Sequence, residues 1–221
     1  MHWTLLDGSP RGRHSNTTIL LGALARGLEA EGQTFELHHL ALPRVRAEAT
    51  DLVARAQRFL LGFPLYTDAM PGQVMELVER LEPLQHREGN PPLAFLVQSG
   101  FPEAGQSRAV EGYLALLARR LGSRYLGTIV KGGVEGMQAM PPSRSRKLLA
   151  SLEGMGRSLG RDDRLDQDAL RALAGPDWPN SWRSSIIRAV IRWASTPYWN
   201  RALKRNGSYE RRFDRPYEST E

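Results

Sequence analysis

Residues 2–20 read HWTLLDGSPRGRHSNTTIL: a short apolar strand, a loop of small and polar residues, and the start of a helix. Trp3, Leu5 and Leu6 supply the buried strand, Gly8 and Gly12 free the backbone for a tight turn, and Ser15, Asn16 and Thr17 lead into an amphipathic helix. The first N–H groups of a helix have no intrahelical acceptor and the helix dipole places partial positive charge there, so such a loop suits an anion. Ser9, Arg11, Ser15, Asn16 and Thr17 add hydroxyl, guanidinium and amide donors. A plain capped turn uses the same residue types, because Ser, Thr and Asn are common N-caps. The loop has neither the G-x-x-x-x-G-K-[ST] spacing nor G-x-G-x-x-G, which excludes a Walker-type nucleotide site and an ordinary dinucleotide fold.

Outward from this stretch the chain alternates strand and helix. Ile19, Leu20, Ala23, Leu24, Gly27 and Leu28 share a helical face until Gly32 ends the element. Residues 34–40 alternate as a strand. His38 and His39 on it point to opposite faces and cannot share a metal ion, so they read as surface or edge histidines. A short helix is expected over 50–57. Phe59 to Phe63 form a continuous apolar run, as in a parallel strand covered on both faces, and Pro71 is placed to open the next helix. Residues 92–99 and 124–131 read as two more strands, separated by a helix from Glu103 to Leu121. The pattern predicts a doubly wound, five-stranded parallel α/β sheet with helices on both faces and right-handed crossovers. In such a sheet ligands sit beyond the carboxyl ends of the strands where strand order reverses, so the loops after the first, third and fourth strands become neighbours.

Those three loops carry a family resemblance. Gly8-Ser9-Pro10-Arg11 with Ser15-Asn16-Thr17, Pro64-Leu65-Tyr66 with Pro71-Gly72, and Ser99-Gly100-Phe101-Pro102 resemble the three flavin loops of the NAD(P)H-dependent FMN reductases, which have a flavodoxin-like fold. The resemblance covers roughly residues 1–140; Lys131 to Met137 is similar to a less diagnostic stretch. It implies an FMN-dependent oxidoreductase that takes hydride from NADH or NADPH as cosubstrate. Electrons would pass to a small-molecule acceptor such as a quinone, a nitro or azo compound, or a flavin. Ser9, Arg11, Ser15, Asn16 and Thr17 would hold the phosphate. Pro64, Leu65, Tyr66 and Thr67 would line one side of the isoalloxazine, and Ser99, Gly100 and Phe101 its pyrimidine side. Asp68 is a candidate polar contact, against the plainer reading of a loop-surface carboxylate, and Glu135 and Met137 could approach the ring. The flavin carries the chemistry, so no protein nucleophile or base and no metal is called for. Asp7 departs from the pattern: an acid beside a phosphate is unfavourable unless it caps N–H groups or pairs with Arg11 or Arg13. A flavodoxin-type electron carrier without NAD(P)H activity is the second reading. A module that binds a membrane or partner through the chain's basic tail is the third.

The 221 residues contain no cysteine, which excludes disulfides, thiol catalysis and cysteine-held iron–sulfur clusters. No apolar run is long enough to span a bilayer, and the chain enters its first strand without a basic leader, so a cytoplasmic location is expected. From Trp178 onward there are nine Arg or Lys against four Asp or Glu, so nearly all of the net charge of +6 lies in the tail, with four of the five tryptophans. The expected organisation is a flavin-binding domain over 1–160 and a helical, Trp- and Arg-rich extension over 161–221. Helices are expected over 143–160 and 166–174. Ser181 can cap a basic amphipathic helix from Trp182 to Ser195. Its apolar face suits packing within the protein or a homodimer. Peripheral membrane contact through 182–199 is the next reading, and nucleic acid the least favoured.

Overall fold

The computed structural model describes residues 1–177, 193 and 196–215. Five parallel strands, β1 (His2–Asp7), β2 (Thr34–His39), β3 (Arg58–Pro64), β4 (Leu93–Gln98) and β5 (Tyr125–Lys131), form one sheet in the order β2-β1-β3-β4-β5. This is the expected doubly wound sheet, with its reversal of strand order beside β1. The register places Asp7 opposite His39 and Gly62, Pro64 opposite Gln98, and Gln98 opposite Lys131. The carboxyl ends of all five strands therefore meet along one edge.

The helices are α1 (Asn16–Ala30), α2 (Pro43–Arg55), α3 (Gly72–Arg80), α4 (Gly105–Arg120), α5 (Pro142–Asp162) and α6 (Gln167–Ala174). The strand residues alternate between two cores, as the period of two requires. Trp3, Leu5, Leu60 and Leu96 pack with α1 and α5 on one face, while Leu6, Phe59, Leu61, Phe63 and Phe95 pack with α2, α3 and α4 on the other. α2 begins at Pro43, seven residues before the expected start, because Pro43 takes the first helical position behind Leu42 and the fixed proline φ is already helical there. The helix after Pro71 is α3, and it gives way to a short 3₁₀ turn over Glu82–Leu84 that contains Pro83.

α1 and α5 cross at backbone contact. A β-carbon on Gly27 would lie 2.0 Å from the Glu153 carbonyl oxygen, and one on Gly156 would lie 2.1 Å from that of Leu24. Leu152, Met155 and Leu159 of α5 are buried at this contact side with Leu24 and Leu28 of α1. At the opposite end of the sheet from the loops, Asp163 closes α5 with φ 53° and accepts a bidentate pair of hydrogen bonds from Arg58, at 2.8 and 2.9 Å. Arg124 reaches the same carboxylate.

One compact unit runs from Met1 to Trp178 and a second from Pro179 to Glu221. Residues 161–177, expected in the extension, fold with the first unit: Leu165 is buried in the α1-side core and Ala174 packs with Val130. In the second unit, residues 196–205 are helical. Tyr198 and Trp199 meet edge to face at 5.4 Å, and the Arg212 guanidinium lies 3.9 Å from the Tyr209 ring centre. The expected helix over 182–195 falls, apart from Trp193, outside the described residues. Among the described residues no helix is long and apolar enough to cross a membrane.

Candidate functional site

The loops that follow β1, β3, β4 and β5 converge on a small cleft of about 30 Å³ at the carboxyl edge of the sheet. Ser9, Arg11 and Asn16 line it from the first loop, Pro64, Leu65 and Tyr66 from the loop after β3, and Gln98, Ser99 and Gly100 from the end of β4; Glu135 closes it from the loop after β5. Eight of the thirteen sequence-derived site residues thus line a single cleft. A much larger open groove, about 1160 Å³, lies between α5, α6 and β5, and none of the converging loops lines it.

The first loop is shaped from beneath by Asp7. Trp3, Leu5 and Asp7 continue one inward-facing series along β1, which places the fully buried Asp7 carboxylate under the start of α1. Its Oδ1 accepts the Ser9 N–H at 2.8 Å, and its Oδ2 accepts the hydroxyls of Ser15 at 2.9 Å and Thr18 at 2.5 Å. His39 Nδ1 lies 3.3 Å from Oδ2. The acid therefore does cap an N–H group, but its ring partner is His39, not Arg11 or Arg13. His39 is buried, contrary to its reading as a surface histidine. The parallel register sets it opposite Asp7 on the same sheet face. His38 points to the other side and pairs with Glu36 at 3.1 Å.

Ser15 is the N-cap of α1, its Oγ accepting the Thr18 N–H at 3.0 Å. Its own N–H donates to the Gly12 carbonyl at 3.0 Å, and Gly12 makes that turn possible with φ 56°. Ser15 is thus committed within the loop. The N–H groups of Asn16 and Thr17 occupy the first turn, where a helix has no carbonyl to offer them. The side chain of Asn16 donates to the Val134 carbonyl at 2.7 Å and accepts from Gln138 at 2.8 Å, and Gln138 also donates to the His14 carbonyl at 3.0 Å. Those bonds fasten the loop after β5 to the first loop. Thr17 is buried and accepts at Oγ1 from Gln98 Nε2 at 3.3 Å. On the far side, Gln73 of α3 donates to the Gly8 carbonyl at 2.9 Å and is itself held by Arg46 at 3.2 Å.

The loop after β3 folds on itself. Tyr66 and Ala69 exchange backbone hydrogen bonds at 2.9 and 3.1 Å around Thr67 and Asp68, whose φ values of 51° and 60° make a turn of the primed type. Positive φ is rare for a β-branched residue and marks strain at Thr67. Both turn residues are exposed and do not line the cleft, whereas Tyr66 does and stays 47 % exposed. The loop after β4 is bound to that after β5: Ser99 N–H donates to the Lys131 carbonyl at 3.0 Å, Val134 N–H to that of Ser99 at 3.1 Å, and Gly133 N–H to that of Phe101 at 2.8 Å. A β-carbon on Gly132 would sit 2.2 Å from the Phe101 carbonyl oxygen, so only glycine admits this approach. Phe101 is 55 % exposed and does not line the cleft. Met137 points into the core instead of approaching the site. Arg11 and Glu135 face each other at 3.6 Å, both well exposed, so the contact is weak and solvent-screened. Lys131, at the end of β5, has its ammonium pushed below the ordinary lysine range by burial.

Four residues that tie the loops around the cleft escape a reading of local pattern: His39, Gln73, Gln98 and Gln138. Only the register across β1 and β2 could have indicated His39, and the three glutamines join segments far apart in the chain.

No protein-family model matches the sequence, and a search of curated proteins gives no match. Solved structures do match. An NAD(P)H:quinone oxidoreductase from Methanothermobacter marburgensis aligns at TM-score 0.56 with 20 % identity, over 72 % of this chain and 96 % of that one. An NADH:FMN oxidoreductase in its apo form aligns at 0.55 with 18 % identity, over 81 % of this chain and 96 % of that one. An azoreductase from Bacillus anthracis aligns at 0.52 with 15 % identity, over 73 % and 99 %. These likenesses establish the fold as flavodoxin-like.

Proposed function

We propose that the protein is an FMN-dependent oxidoreductase that uses NADH or NADPH and delivers electrons to a small-molecule acceptor. One observation carries the reading: three loops from separate parts of the sequence, each resembling a flavin loop, line one cleft at the switch point of the sheet. Open sheets of this order bind their ligands there. The donor chemistry fits the group. Ser9, Arg11 and the N–H groups of Asn16 and Thr17 offer hydrogen bonds to a phosphate at the positive end of α1, with Ser15 setting the turn. Pro64, Leu65 and Tyr66 present an apolar wall, and Ser99 and Gly100 a backbone edge, with the exposed Phe101 beyond them. At about 30 Å³ the cleft encloses little more than one small polar group, so a planar ring would lie across its open mouth.

FMN bound there would supply the redox chemistry, accepting hydride from the nicotinamide and passing electrons on. The chain's own task is to hold the phosphate, fix the ring against the two later loops and leave one ring face open to both substrates. The names of the neighbouring structures, a quinone oxidoreductase and an azoreductase among them, support quinones or azo compounds as the acceptor class. A homodimer and a cytoplasmic setting complete the proposal, the first checked by light scattering after gel filtration.

The deciding measurement is the visible spectrum of the purified protein after addition of FMN, followed by anaerobic NADH and NADPH. Retained flavin absorbance that bleaches on either nucleotide is the expected result. A protein that neither retains nor accepts FMN overturns the reading. Flavin that binds but is not bleached transfers the assignment to an electron carrier.

A further inference from the structure

We infer that Asp7 is a positioning residue that turns the hydroxyls of the first loop inward, leaves phosphate recognition to Ser9, Arg11 and the first N–H groups of α1, and lowers the loop's affinity for phosphate-bearing ligands. The inference rests on the reading of this loop as a phosphate site.

A count of donors carries it. Ser15 has two, a hydroxyl and an N–H, and they go to Asp7 Oδ2 at 2.9 Å and the Gly12 carbonyl at 3.0 Å. Thr18 directs its hydroxyl to Asp7 at 2.5 Å, with the Gly12 carbonyl at 3.1 Å as a second acceptor, and its N–H to Ser15 Oγ at 3.0 Å. The Ser9 N–H goes to Asp7 Oδ1 at 2.8 Å. Three donors from the first loop and the start of α1 thus converge on one fully buried carboxylate, and neither Ser15 nor Thr18 lines the cleft. Ser9 retains its hydroxyl proton, since its Oγ accepts from the Arg11 N–H at 3.3 Å, and both Ser9 and Arg11 line the cleft.

A carboxylate can accept all of these bonds; an asparagine in its place would accept only at its oxygen and donate from its nitrogen, so the Thr18 hydroxyl would turn to the Gly12 carbonyl at 3.1 Å and the Ser15 hydroxyl to Thr18 Oγ1 at 3.0 Å, and what the exchange removes is the negative charge. The carboxylate also draws on the partial positive charge at the start of α1, the same field that attracts a phosphate. Two anions sharing that field in a poorly screened interior oppose one another. Asp7 therefore both builds the loop and works against its ligand, with His39 as the adjoining ring.

FMN and riboflavin differ only in the phosphate, so the pair separates charge from shape. Flavin fluorescence titration of the native protein and Asp7→Asn is expected to show FMN binding tightened by about threefold or more, with riboflavin within about twofold of native. Equal loosening of both flavins reduces Asp7 to a clamp and overturns the inference, as does unchanged or weakened FMN binding. Inorganic phosphate at matched ionic strength gives a readout free of flavin: it should raise Tm more for Asp7→Asn than for the native protein, and an equal or smaller rise overturns the inference. If the native protein binds neither flavin, the functional reading fails while the phosphate comparison still decides the role of Asp7. Ser15→Ala provides a second variant. It should lower Tm through the lost cap while keeping the FMN-to-riboflavin ratio of Kd within about twofold of native. A ratio that collapses towards that of a phosphate-blind site would place the Ser15 hydroxyl on the ligand and overturn the inference.

Discussion

Replacing Gly156 by alanine tests the packing that fixes α1, and with it the loop, against the rest of the molecule. The new β-carbon would lie 2.1 Å from the Leu24 carbonyl oxygen and 3.0 Å from the Gly27 Cα, while ordinary contact begins at 3.4 Å. Both obstacles are backbone, so no rotamer change relieves them and the helices must part by about 1.3 Å at the crossing. Forcing extra volume into a packed core costs about 1–3 kcal/mol, and the separation also loosens Leu24, Leu28, Leu152 and Met155. Alanine returns about 1 kcal/mol in helix propensity. The expected net loss is about 1–2 kcal/mol, towards the upper end of the difference because both obstacles are backbone, read from urea unfolding as a lower midpoint at unchanged slope. Gly154→Ala, two residues away with nothing within 4 Å of its β-carbon, is the control and should stabilise by up to about 1 kcal/mol. Gly27→Ala should resemble Gly156→Ala. The double variant should cost less than the two losses together, because one separation relieves both clashes. Equal effects at positions 154 and 156, or strict additivity at 27 and 156, would refute the close crossing.

Three further outcomes follow from individual contacts. Asp163→Asn keeps a residue that tolerates φ 53° but dissolves the bidentate pair with Arg58, whose two side chains are only 21 % and 16 % exposed; thermal unfolding should show a loss of about 1–2 kcal/mol. Thr67→Asn with Asp68→Gly supplies the residues a primed turn prefers and should raise stability by about 1 kcal/mol, a change that fails to appear if the turn is not strained. Burial raises the Glu36 carboxyl, but hydrogen bonds with His38 and Thr4 outweigh it and hold the group below its ordinary range. Its stabilising contribution is then present above the unfolded value and lost as pH falls through the folded one. Glu36→Gln should be the less stable protein at neutral pH, and the gap should close only as pH falls below the ordinary carboxylate range, in Tm measured against pH.

The fold was legible because it depends on period and punctuation. The continuous run Phe59 to Phe63 marked a strand covered on both faces, and Ser15 marked the start of α1, where the structure places its cap. The first half of α2 carries no such signal, because the helix is mostly polar and only Ala49, Leu52 and Val53 are buried. Residues 161–177 join the first unit through Leu165, Ala174 and the partly buried Ala169, Leu170 and Leu173; their spacing marks an apolar helix face but not what that face packs on. At the cleft, the residue types were legible but not the direction of their bonds. Ser15 looks like a ligand donor by type, yet its hydroxyl goes to Asp7, and the Thr17 hydroxyl is buried and accepts from Gln98. Met137 lies two residues beyond the cleft-lining Glu135 and faces the core.

The loops around the cleft differ in what holds them, and that difference bears on how a ring would be admitted. The first loop is tied beneath to Asp7, at its side to Gln73, and across to Val134 and Gln138. The loops after β4 and β5 share three backbone hydrogen bonds and an approach that only Gly132 permits. The loop after β3 is anchored by the Leu65 N–H to the Gln98 carbonyl at 2.8 Å, and beyond that its backbone bonds run between Tyr66 and Ala69. Its tip therefore has the least holding it to the sheet and the most strain to release. Bonds between rigid neighbours resist displacement together, so the phosphate side and the Ser99 side would keep their geometry while Tyr66 and its turn adjust to a ring. On the proposed function, stiffening that turn with Thr67→Asn and Asp68→Gly should change the association rate of riboflavin more than that of inorganic phosphate. Stopped-flow fluorescence for the flavin and line broadening for the phosphate would measure the two, and equal changes would contradict this division of the site.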